Sequence, residues 1–211
     1  MSENDSSADN QQGSPMQTSD PSETIRRTPF NNKEEVKAYL LATLHDGTFS
    51  SNKRFRIAQK GKDWLEILKK LFRIVGFNAW IYKEGKERDV YVLETLASFL
   101  NFKFDPLKLK SEKEKVAYIR GFFDAEGGIP QNKNSRFYIQ LAVKDKNKLI
   151  KIKKILECSG IKIGKIHNPS KNVKPDYWRI YVLAKSHTEF ARLIGSWHPK
   201  KLKLLVERKM I

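Results

Sequence analysis

Two short segments of the sequence each place an acidic residue directly before a glycine, at the end of a stretch with the pattern of a helix. They are Asp46-Gly47 and Glu126-Gly127. A carboxylate at a helix C-terminus lies beside free backbone carbonyl oxygens, and such hard oxygen ligands suit Mg²⁺. One acid of this kind is most often part of a capping turn. Two of them brought together would repel unless a cation lay between them, so the pairing predicts a metal site.

The pairing follows from an internal repeat with an offset of 84 residues, in which Lys60 matches Lys144. Upstream of that match, residues 39–47 resemble residues 119–127. The repeat predicts a first half-domain at residues 31–110 and a second at residues 111–211.

Residues 1–30 differ from the rest of the chain in composition and in charge. They contain almost no apolar side chains, which predicts a disordered tail. Five acids and two arginines give this tail a charge of −3. The whole chain has a net charge of +17, so residues 31–211 carry +20. An excess of cations this large favours a polyanionic partner, and nucleic acid is the first candidate.

The chain has no apolar run near the ~18 residues that a spanning helix needs, so we expect no membrane association. Cys158 is the single cysteine. No disulfide can therefore form within the chain, and no secretory signal opens it. We expect an intracellular protein, cytoplasmic or organellar, that is not secreted.

Each half has the pattern of a helix, two strands, a helix, two strands and a closing helix, which predicts an α+β protein with mixed or antiparallel sheets. Asn32 and Ser111 each begin a capping box at the first helix of their half. The second helices carry apolar residues at period 3.6 and end at Gly76 and Gly160, which are expected C-caps.

The predicted strands alternate, with one face apolar and the other polar and basic. Solvent exposure alone explains polar residues on a single strand. It does not explain the excess of cations on two related strands, so we expect nucleic-acid contact, with arginine suited to guanine and glutamine to adenine. The candidate contact residues are Arg54, Arg56, Arg136, Tyr138, Gln140, Lys162, Tyr177 and Arg179.

Residues 118–128 read Tyr-Ile-Arg-Gly-Phe-Phe-Asp-Ala-Glu-Gly-Gly. This segment resembles the second motif of the two-motif LAGLIDADG homing endonucleases, an intron-encoded nuclease family, and residues 39–47 resemble the first motif. The resemblance implies a monomer of two pseudo-symmetric αββαββα halves whose sheets form a saddle over double-stranded DNA of about two helical turns. It also implies that Asp46 and Glu126 bind two or three Mg²⁺ ions, which Mn²⁺ can replace.

The two motifs differ in how well they suit close helix packing. Gly121 and Ala125 lie four residues apart on one helical face and permit a close approach. Their equivalents in the first motif, Leu41 and His45, are too large, whereas Ala42 is small but out of register. Either the first helix is rotated or the contact is looser.

Three further residues are candidates for catalysis. Lys60 and Lys144 end matching strands and could stabilise scissile phosphates or order water; the alternative is a positioning or surface role. Gln59 could hold a water molecule. His45 is more often a packing feature at such a position than a ligand, and Asp124 is expected to form hydrogen bonds within its own helix end.

The resulting hypothesis is a site-specific, metal-dependent endonuclease that hydrolyses phosphodiester bonds in double-stranded DNA. The alternative is an RNA maturase, or a catalytically inactive DNA-binding protein, on the same fold.

Overall fold

The computed structural model describes residues 32–211. The predicted tail at residues 1–30 lies outside this range. Within it, the chain forms helices and two antiparallel sheets, which confirms the α+β class expected from the sequence.

The first half contains two α-helices and a four-stranded sheet. In chain order they are α1 (Lys33–Thr43), β1 (Gly47–Phe49), β2 (Phe55–Lys60), α2 (Asp63–Ile74), β3 (Ala79–Lys83) and β4 (Val90–Thr95). The strand order is β1-β2-β4-β3, and every neighbouring pair is antiparallel.

The second half repeats this arrangement with a shorter sheet. Its elements are α3 (Glu112–Glu126), β5 (Gly127–Gly128), β6 (Ile139–Val143), α4 (Lys146–Cys158), β7 (Trp178–Val182), α5 (His187–Leu193) and α6 (Pro199–Glu207). The strands are ordered β5-β6-β7. Isolated bridges from Ile163 to Val182 and from His167 to Arg179 add an irregular fourth edge.

The predicted caps are present at the helix ends. The Asn32 side chain accepts a hydrogen bond from the Glu35 N–H at 2.9 Å, and Ser111 begins α3 in the same way. Gly76 follows α2 with a φ of 88°, in the left-handed region that glycine adopts without steric cost.

The observed element order departs from the predicted one at the end of each half. The first half closes with a 3₁₀ turn at Pro106–Lys108 instead of an α-helix, because Asp105 caps a turn that has proline at its start. The second half closes with two helices, α5 and α6. Gly195, with a φ of 59°, lies between these two helices.

The core of the molecule lies where α1 and α3 pack side by side, with each sheet and its own helix on the outside. Tyr39 and Leu40 of α1 and Ile119 and Phe122 of α3 are completely buried. This packing brings the C-terminal ends of the two motif helices to one region of the molecule.

Candidate metal centre and nucleic-acid interface

The contact between α1 and α3 depends on Gly121. A Cβ atom added at Gly121 would clash with the Tyr39 carbonyl oxygen and lie 3.1 Å from the Ala42 Cβ. Ala42 is completely buried, and Ala125 is half-buried beside the core. The structure therefore brings Ala42 and Gly121 together, and α1 is rotated so that its small residue faces the crossing.

The first motif helix ends in a 3₁₀ turn at Leu44–Asp46, and Asp46 is the last residue of this turn. The helix α3 instead stays α-helical up to Glu126. The two acids are therefore reached by different backbone geometries, although both directly precede a glycine.

Asp46 is half-buried and accepts a hydrogen bond from a residue of the first sheet. The Gln59 side-chain amide donates a hydrogen bond to Asp46 Oδ2 from near the end of β2. Burial raises the pKa of Asp46 to about 6, although the Gln59 hydrogen bond and the charge of Lys201 act in the opposite direction. The structure thus places Gln59, a sequence candidate, directly on the first acid.

Glu126 interacts with Asp46 across the two halves. Burial raises the pKa of Glu126 to about 7, and the negative charge of Asp46 contributes to the rise, while Lys201 opposes it. Asp46, from the other half, therefore lies close enough to Glu126 to disfavour the ionised form of Glu126.

The donor set at this centre consists of two carboxylates. Across residues 32–211, no cluster of three or more His, Cys, Asp and Glu side chains is arranged to hold a metal ion. Two carboxylates suit Mg²⁺, which keeps several water ligands and commonly binds through one or two protein carboxylates plus substrate phosphates.

Lys201 is a component of this centre that the sequence reasoning missed. Its ammonium donates to the Phe123 and Asp124 carbonyl oxygens, the latter at 2.7 Å, at the C-terminal end of α3. Burial lowers the pKa of Lys201 to about 8, against the charges of Asp124, Asp46 and Glu126. A cation at a helix C-terminus satisfies free carbonyls and complements the helix dipole.

Asp124 forms hydrogen bonds, as predicted, but its partners lie outside its own helix end. It accepts from the Tyr39 hydroxyl at 2.6 Å, from the Trp197 N–H at 2.9 Å and from the Ser196 hydroxyl. Burial raises the pKa of Asp124, and Lys201 and these hydrogen bonds oppose the rise. Asp124 therefore joins α3 to α1 and to the segment that precedes α6.

His45 packs against side chains of α3. Its ring lies edge-on to Phe122, with Nε2 at 3.4 Å from the Tyr118 hydroxyl. It lines a cavity of about 140 Å³ together with Lys148, and burial and the charge of Lys148 lower the pKa of His45 to about 4. A neutral histidine in this environment agrees with the interpretation of His45 as a packing residue and not a metal ligand.

The two candidate lysines lie on the surface, away from any described contact with the acids. Lys60 is the exposed last residue of β2, next to Gln59. Lys144 follows β6 and lies 4.0 Å from the Asp176 carboxylate. Both could reach a bound polyanion, and their catalytic role stays a prediction.

The polar face of the first sheet combines arginines with acids. The Glu94 carboxylate lies 3.1 Å from Arg54 Nη1 and 3.1 Å from Arg56 Nε. Tyr82 donates to the same carboxylate at 2.8 Å, and Arg56 also pairs with Glu84 at 3.1 Å. Arg54 and Arg56 are therefore both paired with acids of the protein itself.

The polar face of the second sheet is aromatic and basic. Arg179 donates to the Tyr181 hydroxyl at 3.1 Å, and its guanidinium lies over the Tyr177 ring. The Tyr138 ring lies edge-on to the Tyr181 ring, and the His167 ring stacks on Tyr181. Among the other candidates, Gln140 packs on Gly128, while Arg136 and Lys162 are exposed at the margins.

Comparison with known proteins agrees with this arrangement. Residues 113–195 match a family model described as a LAGLIDADG-like domain. The structure of I-DmoI in complex with DNA and Mn superposes with a TM-score of 0.59 at 18% identity, covering 78% of this chain and 98% of I-DmoI. The chain has the LAGLIDADG fold.

Two further proteins are similar to this chain. Full-length DUF199/WhiA from Thermatoga maritima has a TM-score of 0.63 at 18% identity, covering 89% of this chain and 64% of that protein. Uncharacterized protein MJ0314 of Methanocaldococcus jannaschii is 24% identical over 164 residues, which is 69% of this chain. The chain spans 62% of the length of MJ0314. No helix within residues 32–211 is long and apolar enough to cross a membrane.

Three of the residues that sequence reasoning missed lie near the end of the chain, beyond the segment that the family model matches. Ser196, Trp197 and Lys201 all follow the matched LAGLIDADG-like segment. No spacing in the sequence connects them to Asp124 or Glu126. Glu94 is a fourth missed residue and lies opposite Arg56 in the sheet. Its neighbours of the same parity on β4 are Val90 and Val92, so alternation gave no signal for it.

Proposed function

We propose that this chain is a site-specific endonuclease of double-stranded DNA that uses Asp46 and Glu126 to hold divalent metal ions. The observation that carries the proposal is that α1 and α3 pack closely at Ala42 and Gly121, and that the charge of Asp46, from the first half, adds to burial in raising the pKa of Glu126, from the second half. Two carboxylates held in this way favour a cation between them. The similarity to I-DmoI in complex with DNA and Mn supports the assignment.

The donors present fit Mg²⁺, in two or three ions, with Mn²⁺ as a substitute. When bound, the metal would supply an activated water and neutralise charge on the phosphate. The protein's own part is positioning. Gln59 fixes the Asp46 carboxylate, and Lys201 holds the end of the helix that carries Glu126. Lys60 and Lys144 contribute positive charge for the DNA phosphates.

Sequence recognition is assigned to the polar faces of the two sheets, which would form a saddle along about two turns of duplex. Arginine, glutamine and tyrosine side chains on both faces offer donors to base edges. The strongly basic body supports binding of the phosphate backbone.

The test begins with selection of a cleavable site from a randomised duplex library with Mg²⁺, followed by binding measurements with Ca²⁺. We expect Asp46→Asn and Glu126→Gln to abolish cleavage while both variants bind the selected site as the wild type does. Asp63→Asn, which neutralises an exposed acid on α2, is the matched control and should cleave normally. Cleavage by both metal-site variants at the wild-type rate would exclude the proposed mechanism.

A second candidate is a DNA-binding protein, or an RNA maturase, that uses the fold without cutting. The similarity to DUF199/WhiA favours it, since that similarity is as strong as the one to I-DmoI. Sequence-specific binding without cleavage in either Mg²⁺ or Mn²⁺ would support it. A splicing assay with intron RNA, repeated with Asp46→Asn, would separate a maturase from a DNA-binding protein.

A further inference from the structure

The polar face of the first sheet contains a carboxylate where a DNA-binding surface would be expected to be basic. Glu94 is only 7% exposed and lies in the middle of the sheet, opposite Arg56 on β2 and Trp80 on β3. An acid at this place lowers the attraction for phosphate. Its presence therefore calls for a different physical explanation.

The contacts of Glu94 account for it. Glu94 Oε2 pairs with the Arg54 guanidinium. Glu94 Oε1 pairs with the Arg56 guanidinium and accepts a hydrogen bond from the Tyr82 hydroxyl. Burial alone would raise the pKa of Glu94, but hydrogen bonds from Tyr82 and Arg54 hold it below its usual value. The Glu94 carboxylate is therefore charged at neutral pH, and both of its oxygens have partners within the protein.

Both guanidinium groups are held in defined orientations. Arg56 Nη2 donates hydrogen bonds to the Tyr82 hydroxyl and to Glu84. Its Nε lies 3.1 Å from the Glu94 carboxylate as an ion pair, without hydrogen-bond geometry. Arg54 Nη1 donates a hydrogen bond to Glu94, and Arg54 Cζ lies 5.0 Å from the centre of the Trp80 ring. A guanidinium has five N–H donors, so each arginine keeps donors for a ligand after these contacts are made.

We propose that Glu94 is a positioning residue for sequence recognition, which holds Arg54 and Arg56 in fixed orientations for base edges in the half of the target read by the first sheet. This inference rests on the proposed function, because it requires a sequence-specific DNA target. An arginine already ordered before binding loses less side-chain entropy when it pairs with guanine. The second sheet has no such acid among the contacts of Arg179, so the effect is confined to one half of the target.

The experiment measures binding specificity at each base pair, with Ca²⁺ in place of Mg²⁺. Arg56→Ala first identifies the base pairs that the first sheet reads. At those positions Glu94→Gln should lower discrimination between the preferred and the other bases about tenfold, which is within the range for one bidentate pair. Affinity for random duplex should rise, because the variant removes one negative charge from the interface.

Glu84→Gln is the matched control. It removes the same charge from the same face, but the Glu84 side chain is half-exposed and contacts only one of the two arginines. We expect it to raise affinity for random duplex as Glu94→Gln does and to keep most of the discrimination. The base pairs read by the second sheet serve as an internal standard, since partial unfolding would weaken binding to both halves.

Unchanged discrimination in Glu94→Gln, at a target that the wild type recognises, would overturn the inference and leave the proposed function intact. An equal loss of discrimination in both halves of the target would also overturn it, because it would indicate a general structural role. A wild-type protein with no sequence preference would instead contradict the proposed function.

Discussion

The two acid-bearing helix ends occupy equivalent positions in the repeat but are supported by different parts of the molecule. The first ends in a 3₁₀ turn, and its Asp46 is bonded by Gln59 from the sheet of the same half. The second stays α-helical to Glu126, and Lys201 and Asp124 tie it to the C-terminal segment. Two acids at equivalent positions are therefore held by different contacts, and the two helix ends should respond differently to mutation.

The largest effect is expected from giving the second end the side chain found at the first. Leu44 stands at the position equivalent to Asp124, so the variant is Asp124→Leu. The Tyr39 and Ser196 hydroxyls and the Trp197 N–H would lose their buried acceptor. We expect the free energy of unfolding to fall by about 4 kcal/mol, measured by urea denaturation.

The control for this variant is Glu112→Leu, which removes an exposed acid from the first turn of α3. Its free energy of unfolding should change by less than about 0.5 kcal/mol. A similar loss in both variants would show that the Asp124 contacts have no special weight.

The next effect concerns the cation at the second end. Lys201→Met keeps the aliphatic stem but removes the donor to the Phe123 and Asp124 carbonyls. The pKa values of Asp46 and Glu126 should rise, because Lys201 lowers both. We expect cleavage near pH 7 to fall roughly tenfold and to recover at higher pH, since one pKa unit corresponds to a tenfold change in the ionised fraction. Lys200→Met, at an exposed neighbour, should behave as the wild type; a loss that is independent of pH would contradict this role.

A smaller effect is expected from the repulsion between the acids. With metal absent, their raised pKa values mean that the folded state holds protons that the unfolded state releases near pH 4. Their stabilising contribution is complete below about pH 4 and is lost as the pH rises through about 6 and 7. Asp46→Asn should lower the pKa of Glu126, by less than about one unit, because burial is the larger cause. NMR titration of the Glu126 carboxyl carbon measures this shift, and an unchanged pKa would show that the two acids do not interact.

The smallest effect is expected from the hydrogen bond at the first end. Gln59→Leu removes a donor that lowers the pKa of Asp46, so that pKa should rise. We expect a few-fold loss of cleavage below pH 7 and little change above pH 8. The equivalent residue in the second half is Val143, which has no side-chain donor, so the Glu126 titration should be unaffected. A matching shift in Glu126 would show that the two supports are not independent.

Most of the architecture followed from local patterns in the sequence. Apolar residues at period 3.6 located α2 and α4, and alternation located the faces of β6 and β7, because these periods depend on backbone geometry alone. The prediction of a closing α-helix in the first half was wrong, because Asp105 and Pro106 favour a short capped turn. The sequence left open whether α1 is rotated or packs more loosely, since the answer depends on which residue of α1 packs against Gly121.

The sequence by itself determined the repeat, the basic surface and the two acids at helix ends, because each is a matter of residue type and local spacing. Only the tertiary structure decided that Lys201 and Asp124 anchor the second acid, that Gln59 bonds the first, and that Glu94 holds two arginines. These contacts join residues that are distant in the chain. Their geometry depends on how whole helices and strands pack, which no local pattern specifies.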